Sequence, residues 1–299
     1  KNMSVLPLNR LFSGKLISTK QIAAEPEYRL LFRKCFDVSD FEKAVIFISS
    51  YGKCKLYVNG LPVTVCSFSS VDQRYDTIDI TDYLLNGENT LAIHTVYTDG
   101  CEKQGLILDL ELDGKTVLSS DGSFKAHRHT AYEISRIGTD GERISRIYDS
   151  RAAEVDFESP MFDDSEWENA YVLPDFEPVI PPAEEAQSET LPIKPVITKK
   201  LVDGYFVDFG RVYKGTLFFV SSGAPGETVR ILYGSTPEAD GTVRLKTLEN
   251  CSECDEWILS GGDDCLDVFS ERSFRYAKIE APEGASIEAS DIRLIAEST

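Results

Sequence analysis

Short apolar runs that alternate with polar residues dominate the chain, and Gly, Asn, Asp and Pro separate them. The clearest run is Leu106–Leu112, in which leucines occupy one face while Asp109 and Glu111 occupy the other. The run ends at Asp113-Gly114, a dipeptide favoured in tight hairpin turns. Alternation with a period of two is typical of a strand that buries one face. The segment therefore predicts a half-buried strand that enters a hairpin.

Similar runs recur along the whole chain, at positions 45–48, 55–58, 75–80, 89–97, 205–209, 216–221, 228–233, 255–259, 274–280 and 286–295. A spacing of roughly 8–12 residues between strands is typical of sandwiches rather than of alternating strands and helices. The helical signal is confined to one capped turn at Asp163-Asp164-Ser165-Glu166-Trp167, with Trp167 packing inward. The pattern predicts an all-β protein.

Two domains are expected, because 299 residues exceed what one hydrophobic core usually serves. Six of the 13 prolines fall between positions 173 and 195, and proline removes backbone donors. This stretch favours an extended linker over a sheet interior. We therefore predict one β-sandwich over residues 1–175, a proline-rich linker over 176–195, and a second β-sandwich over 196–299.

Charge and composition narrow the class of partner. The formal net charge is −19, from 50 acidic and 31 basic side chains, which disfavours binding to nucleic acid or to anionic lipid. No stretch approaches the roughly 20 apolar residues that span a bilayer. The seven cysteines are odd in number, several lie in apolar runs, and no export signal is evident. These features predict reduced thiols and a cytoplasmic location.

Two motifs raise the question of a metal site. Cys251 and Cys254 have the spacing of half a zinc site, with Cys265 as the nearest third candidate, but a structural site needs four ligands. We favour ordinary thiols. His127 and His129 would project from one face of a strand, yet no third ligand is suggested locally, so we favour a polar surface strand. His94 is expected to be a hydrogen-bonded strand histidine, and no metal ligand is predicted.

Catalytic signatures are missing from the sequence. There is no nucleophile elbow, no phosphate-binding loop and no dinucleotide fingerprint. Glycosidase chemistry needs two carboxylates held several ångströms apart, and spacing alone selects none among 50 acidic residues. No catalytic residue is predicted.

Two ordered stretches of the chain carry more specific motifs. The first stretch, at about 29–99, contains Phe32-Arg33-Lys34-Cys35-Phe36, Leu56-Tyr57-Val58-Asn59-Gly60 and Asp79-Ile80-Thr81-Asp82-Tyr83-Leu84. It resembles the amino-terminal jelly roll, a galactose-binding-like domain, that precedes the catalytic barrel of bacterial α-L-rhamnosidases, glycoside hydrolase family 78.

The second stretch is more specific. It contains Val207-Asp208-Phe209-Gly210-Arg211-Val212-Tyr213-Lys214-Gly215, then Leu232-Tyr233-Gly234, Cys254-Asp255-Glu256-Trp257-Ile258 and Phe274-Arg275-Tyr276-Ala277-Lys278. This order is similar to the β-sandwich that lies immediately before the rhamnosidase barrel.

The resemblance implies a non-catalytic role for the chain. In the family, the general acid and base lie on an α/α-barrel that follows in sequence, so no catalytic residue carries over. We expect the non-catalytic amino-terminal portion of a glycoside hydrolase that acts on rhamnosyl ends of glycans, with the barrel of the same parent protein as its partner. Its docking surface should be an exposed apolar patch of several hundred Å². A structural protein that only resembles the family is a further alternative, which the downstream reading frame would discriminate.

The resemblance also implies an alternative role as a carbohydrate-binding module. Jelly rolls of some relatives bind rhamnose with a calcium ion through loops at one end, using carboxylates for the cation and an aromatic ring for the sugar. The corresponding candidates here are Asp72, Arg74, Tyr97 and Asp99. Relatives often carry Gly-Trp-Tyr nearby, where this chain has Cys101-Glu102-Lys103. No other cofactor is expected.

Overall fold

The structure is a computed structural model of the 299-residue chain. It describes residues 8–21, 27–68, 73–98, 104–137, 143–176, 178–183, 190–237, 243–244, 247–248, 251–252, 254–266 and 272–297. The chain forms two compact units. Unit 1 comprises residues 1–129 and 154–187, and unit 2 comprises residues 130–153 and 188–299.

Strands make up most of both units. In chain order the first sixteen are β1 (Arg10–Leu11), β2 (Ile17–Ser18), β3 (Glu27–Val38), β4 (Ala44–Ser50), β5 (Lys53–Val58), β6 (Leu61–Ser67), β7 (Asp76–Asp79), β8 (Gly87–Thr98), β9 (Leu106–Leu112), β10 (Lys115–Ser119), β11 (Lys125–Arg128), β12 (Tyr132–Ile137), β13 (Arg143–Asp149), β14 (Glu168–Asn169), β15 (Tyr171–Val172) and β16 (Val179–Ile180).

The remaining strands belong to unit 2. They are β17 (Thr190–Ile193), β18 (Ile197–Leu201), β19 (Gly204–Phe218), β20 (Val220–Ser222), β21 (Thr228–Gly234), β22 (Thr236–Pro237), β23 (Val243–Arg244), β24 (Thr247–Leu248), β25 (Cys251–Ser252), β26 (Cys254–Ile258), β27 (Asp263–Cys265), β28 (Arg272–Glu280), β29 (Ser286–Ile287) and β30 (Arg293–Glu297). Helical structure in the described residues is limited to three 3₁₀ turns, at Thr81–Tyr83, Ser150–Ala152 and Ala289–Asp291. No helix in the described part of the chain is long and apolar enough to cross a bilayer.

Unit 1 is a β-sandwich of two six-stranded sheets. One sheet has the order β15-β2-β9-β4-β7, with β10 also paired to β9, and the other has the order β14-β11-β3-β8-β5-β6. Their apolar faces form one core, in which Phe32 and Ile93 from one sheet join Ile46 and Leu110 from the other. The predicted period-two strands therefore form a sandwich because each sheet buries one face against the other.

The strand Leu106–Leu112 is confirmed, but its predicted polar face is wrong. Asp109 has no exposed surface, and its carboxylate accepts hydrogen bonds from the backbone of Ser13 (3.0 Å) and Gly14 (2.9 Å) and from Ser119 Oγ (2.7 Å). Arg10 donates to it at 3.2 Å. A buried carboxylate is tolerated when hydrogen bonds and an opposite charge replace its hydration. The polar face of this strand thus binds a covering segment instead of water.

Unit 2 has its own core and a large sheet. The sheet order is β12-β13-β26-β21-β28-β19-β30-β17, with β18 paired to β19, and a three-stranded sheet has the order β27-β20-β29. Trp257, Phe219, Phe274 and Ile279 are among the fully buried residues of this core. The all-β prediction with two sandwich domains is confirmed.

The division of the chain differs from the contiguous one expected from the sequence. Residues 130–153 form the hairpin of β12 and β13, and β13 pairs in parallel with β26 of unit 2. The indole Nε1 of Trp257 donates to Ser150 Oγ at 2.6 Å, and both groups are buried. This hairpin therefore belongs to the second core, although residues on both sides of it belong to the first.

The proline-rich stretch 176–195 also contains paired strands. Val179–Ile180 pairs with β1, and Thr190–Ile193 pairs with β30. Pro192 lies opposite Ile295 in β17, which is the last strand of its sheet order. A proline is accommodated there because an edge strand leaves one row of backbone donors without a ladder partner.

Two turns with Asn-Gly and Asp-Gly sequences have the backbone conformation that these dipeptides favour. Asn59 and Gly60 have φ of 53° and 82°, and Asp113 and Gly114 have φ of 50° and 77°. Positive φ at both central residues is typical of the hairpin turn that Asn-Gly and Asp-Gly favour. At 163–167 the Asp163 carboxylate accepts from the Ser165 amide (3.0 Å) and Trp167 is buried, as predicted, although the segment forms turns without a helix.

Candidate functional site

Two of the four candidate sugar-binding residues can be placed. Asp72 and Asp99 lie outside the described residues. Tyr97 is fully buried within the core of unit 1, so its ring does not present a face to solvent. An aromatic ring that stacks on a sugar needs an accessible face. The geometry therefore does not support the role proposed for Tyr97.

Arg74 is partly exposed and its main chain is held in place. Its carbonyl accepts a hydrogen bond from Ser49 Oγ at 2.6 Å, and its Nη1 donates to the carbonyl of Pro182 at 3.4 Å. Because Asp72 and Asp99 lie outside the described residues, a sugar site built from Asp72, Arg74, Tyr97 and Asp99 stays a prediction.

A cluster of imidazole and carboxylate groups lies elsewhere in unit 1. Glu154 binds His127 of β11 and His129, which directly follows that strand, with its Oε1 2.8 Å from His127 Nε2 and its Oε2 hydrogen-bonded to His129 Nδ1. The His127 ring stacks on Trp167 at a centroid distance of 5.0 Å. The His94 ring meets His129 edge-on at 5.1 Å. We call these five residues the histidine cluster.

The electrostatics of the histidine cluster favour an ionised Glu154. Burial alone would raise the pKa of this carboxyl, but the hydrogen bonds from His127 and His129, together with the charge of His129, lower it to about 2. His129 is buried, whereas His127 is partly exposed, so the predicted polar surface strand is wrong for His129. No group of three or more metal-ligating side chains suited to a metal ion occurs among the described residues.

The position of this cluster in the chain indicates a structural task. His129 is the last residue of unit 1 before the hairpin 130–153, and Glu154 is the first residue after it. The hydrogen bond between His129 and Glu154 therefore joins the two points at which the chain leaves unit 1 and returns to it. Sequence reasoning singled out His127 and His129 but missed Glu154, because a partner 25 residues away leaves no local spacing signal.

Arg33 of the first family-like stretch supports a neighbouring loop. It is 1% exposed, and its Nε donates to Asp164 at 2.9 Å. The guanidinium also donates to the carbonyls of Phe157, Ser159 (3.1 Å) and Phe162 (3.4 Å). One guanidinium thus satisfies several loop carbonyls that would otherwise be buried without donors. Arg33 therefore holds the loop at 157–164 in place through hydrogen bonds to its backbone and to Asp164.

The family-like residues of unit 2 form ion pairs between neighbouring strands. Arg275 of β28 donates to Asp208 of β19 at 2.8 and 3.0 Å, and Asp208 also accepts from the Gly210 amide at 2.7 Å. The hydrogen bond from Arg275 is the main cause that lowers the pKa of Asp208. Gly210 has φ of 85°, where the register of β19 against β28 shifts. This pair holds the bulge of β19.

A second network in unit 2 is more deeply buried. Arg272 donates to Asp255 at 2.5 and 3.3 Å, and the Tyr233 hydroxyl donates to the same carboxylate at 2.8 Å. Burial raises the pKa of Tyr233 well above its usual value, and the charge of Asp255 adds to this effect. Strand β21, which carries Tyr233, pairs with both β26 and β28, so the network joins three successive strands of the sheet.

The cysteine motif shows no metal chemistry in the described residues. Cys254 is buried, burial raises the pKa of its thiol, and no described group could hold a metal ion around it. Cys265 lies on β27 opposite Val220. The side chain of Cys251 lies outside the described residues.

Comparison with known proteins identifies the family. Residues 39–191 match the α-L-rhamnosidase N-terminal domain, and residues 199–296 match the bacterial α-L-rhamnosidase concanavalin-like domain. The chain belongs to the α-L-rhamnosidase family. The curated proteins contain no match to this rhamnosidase-family chain.

Solved rhamnosidase structures share the fold. The structure of α-L-rhamnosidase from Dictyoglumus thermophilum matches 96% of this chain at 22% identity and a TM-score of 0.71. The native enzyme from Aspergillus terreus matches 95% at 21% identity and a TM-score of 0.73, and the Streptomyces avermitilis enzyme in complex with L-rhamnose matches 92% at 18% identity and a TM-score of 0.71. The chain spans 36%, 36% and 29% of the lengths of these three proteins.

Proposed function

We propose that this chain is the non-catalytic amino-terminal portion of an α-L-rhamnosidase-like glycoside hydrolase, and that its two units brace a catalytic barrel. The observation that carries the proposal is the pair of family matches in order, the N-terminal domain at 39–191 followed by the concanavalin-like domain at 199–296. The rhamnosidases with the same fold are about three times longer than this chain.

The use of the family-like side chains supports a bracing role. Asp208 binds Arg275 between adjacent strands, Asp255 binds Arg272 across the intervening strand β21, and Arg33 binds loop carbonyls. Groups that are already satisfied by partners within the sheet are suited to rigidity and offer little to a substrate. We therefore assign these residues to the architecture of the two units.

Exposed apolar side chains on unit 2 support a docking surface for the barrel. Val196, Ile197 and Val212 are 66%, 54% and 50% exposed. Val196 lies 3.5 Å from where a Cβ on Gly210 would be, Ile197 lies opposite Asp208, and Val212 lies within the register shift, so all three exposed residues border the bulge of β19. We name Val196, Ile197 and Val212 the bulge patch. Apolar groups gathered at a surface are typical of a protein contact.

The first experiment assays hydrolysis of an aryl α-L-rhamnoside by the purified 299-residue chain and by the full protein encoded by its gene. We expect turnover from the full protein and none from the chain alone. Turnover by the chain alone would contradict the proposal, and a stop codon directly after Thr299 would favour a stand-alone role instead.

The second experiment places a charge in the bulge patch of the full protein. Val212→Asp should weaken docking of the barrel by about 2 kcal/mol, because a carboxylate would be buried against apolar groups. Val202→Asp is the matched control, since Val202 is a fully exposed valine in a turn of the same unit. Thermal inactivation of rhamnosidase activity should be faster for Val212→Asp alone. Equal inactivation of the two variants would count against docking at this patch.

A carbohydrate-binding module is the second candidate function. The observation in its favour is Arg74, whose main chain is anchored while its side chain is partly exposed. Calorimetric titration with L-rhamnose, with and without calcium, should give heat that Arg74→Ala abolishes. No heat in either condition would remove this candidate.

We also propose a cytoplasmic setting for the chain. Its support is that Cys35, Cys54, Cys66, Cys254 and Cys265 are all thiols in the structure. Alkylation of protein taken directly from cells and then unfolded should label these cysteines, whereas disulfides found at rest would contradict it.

A further inference from the structure

Two cysteines face each other across a hairpin of unit 1. Cys54 of β5 lies directly opposite Cys66 of β6 in the antiparallel register. Both side chains have no exposed surface and belong to the same core. Both are thiols in the structure.

The register places the two thiols within reach of a covalent bond. Residues directly opposite each other in antiparallel strands have Cα atoms about 4.5–5.5 Å apart. A disulfide requires a Cα separation of about 4.4–6.8 Å, with both Cβ atoms on one side of the sheet. The thiols of Cys54 and Cys66 already contact each other through a hydrogen bond. Closing the bond therefore needs no change of register.

The surroundings keep the pair unreactive while the hairpin is closed. The hydrogen bond with Cys66, burial and the nearby charge of Asp76 raise the pKa of the Cys54 thiol well above its usual value. A buried thiol with a raised pKa forms little of the thiolate that reacts. However, β6 is the last strand in its sheet order, so it can open locally without disrupting the rest of the sheet.

We propose that Cys54 and Cys66 are a reversible redox pair, which closes to a cross-strand disulfide by exchange with a small-molecule disulfide such as oxidised glutathione. One cysteine thiolate attacks the small disulfide, which releases one glutathione thiolate and leaves a mixed disulfide. The second cysteine then attacks the mixed disulfide, forms the Sγ–Sγ bond and releases the second glutathione. The two cysteine protons are taken up by the two departing thiolates, so two protein thiols are oxidised and one glutathione disulfide is reduced.

The bond would fasten the edge strand to the sheet. In the reduced protein β6 opens by breaking its ladder with β5, whereas in the oxidised protein the linked cysteines limit that opening. The redox state of the pair would thus set how readily this edge of unit 1 opens. The proposal concerns unit 1 alone and does not depend on the function proposed for the whole chain.

The test equilibrates the intact chain with graded ratios of reduced and oxidised glutathione, followed by acid quenching and peptide mass spectrometry. We expect a linked Cys54–Cys66 peptide, with loss of two hydrogen masses, under native conditions. Cys254→Ser is the matched control, because Cys254 is a buried thiol that lies opposite Leu232 and not another cysteine, and it should leave the linked peptide unchanged. Absence of the linked peptide until the protein unfolds globally would overturn the proposal.

Hydrogen exchange of the unmodified sequence provides a second readout that does not depend on the folding of a variant. Amides of β6 should exchange at least tenfold more slowly in the oxidised protein than in the reduced protein, while amides of β28 in unit 2 should not change. Equal exchange of β6 in the two redox states would overturn the proposed fastening of the edge strand.

Discussion

In unit 1 the buried polar side chains hold loops and covering segments against the sheets, whereas in unit 2 they join strands within one sheet. Arg33 binds the carbonyls of the loop 157–162, and Asp109 binds the backbone at 13–14. In unit 2, Asp255 and Arg272 belong to strands of one sheet, as do Asp208 and Arg275. The comparison teaches that the role of a buried charged residue depends on its surroundings. Beside a loop it binds backbone groups of that loop, and within a sheet it binds a charged residue of another strand.

The two tryptophans allow the units to be followed separately. Trp167 is buried in unit 1 and Trp257 is buried in unit 2, and the chain contains no others. In a Trp257→Phe variant the fluorescence of Trp167 reports the unfolding of unit 1. In a Trp167→Phe variant the fluorescence of Trp257 reports the unfolding of unit 2. Urea unfolding can then be assigned to one unit at a time.

The largest effect is expected from Arg33→Met in unit 1. It removes donors from several buried loop carbonyls and leaves Asp164 without its partner, so it should lower the free energy of unfolding of unit 1 by about 4–5 kcal/mol. The measurement is urea unfolding followed by Trp167. Lys15→Met, on an exposed lysine of the same unit, should change this free energy by less than about 0.5 kcal/mol. A small effect of Arg33→Met would show that this loop does not depend on its anchor.

Asp255→Asn should have the next largest effect, in unit 2. Asp255 and Arg272 are only 4% and 8% exposed, so removal of one charge leaves the other buried, at a cost of about 3 kcal/mol. In Asp208→Asn the remaining Arg275 is 34% exposed, and the cost should be about 1 kcal/mol. Unfolding followed by Trp257 compares the two variants, and equal losses would mean that burial does not decide the value of these pairs.

The ionisation of Glu154 should make unit 1 sensitive to acid. The pKa of Glu154 is lowered from 4.5 to about 2 in the folded protein, so its stabilising contribution is complete above pH 4.5 and is lost as the pH falls towards 2. At neutral pH, Glu154→Gln should cost about 2 kcal/mol. The difference between this variant and the parent, followed by Trp167, should shrink between pH 4.5 and 2. The exposed Glu166→Gln is the control and should show no such change.

The smallest effect is expected from Ser150→Ala, which tests whether the hairpin 130–153 is part of the second core. Loss of the hydroxyl leaves the buried Trp257 indole donor without its acceptor, at a cost of about 1 kcal/mol. Unfolding followed by Trp257 should report this loss, and unfolding followed by Trp167 should not. Ser222→Ala, whose hydroxyl contacts Ser286 at an exposed position, serves as the control. A loss seen by Trp167 alone would argue that the hairpin supports unit 1 instead.

The amino-acid sequence by itself determined the strands and several of the turns. Side-chain alternation predicted Leu106–Leu112, and the dipeptides Asn59-Gly60 and Asp113-Gly114 adopt the positive φ of hairpin turns. These features depend on neighbours only a few residues apart, which is why a local pattern is sufficient. The ordered motifs were likewise enough to predict the family, because the spacing of such runs is visible in the sequence.

Only the tertiary structure decided which polar groups are buried and which segments join which core. Asp109 alternates like a surface residue but is covered by residues nearly one hundred positions away, and Arg33 binds Asp164 across 131 positions. Tyr97 was a candidate for sugar binding and is fully buried. The hairpin 130–153 joins unit 2 because β13 pairs with β26, more than one hundred residues later. Contacts of this range arise only when the chain has closed its loops, so no local pattern encodes them.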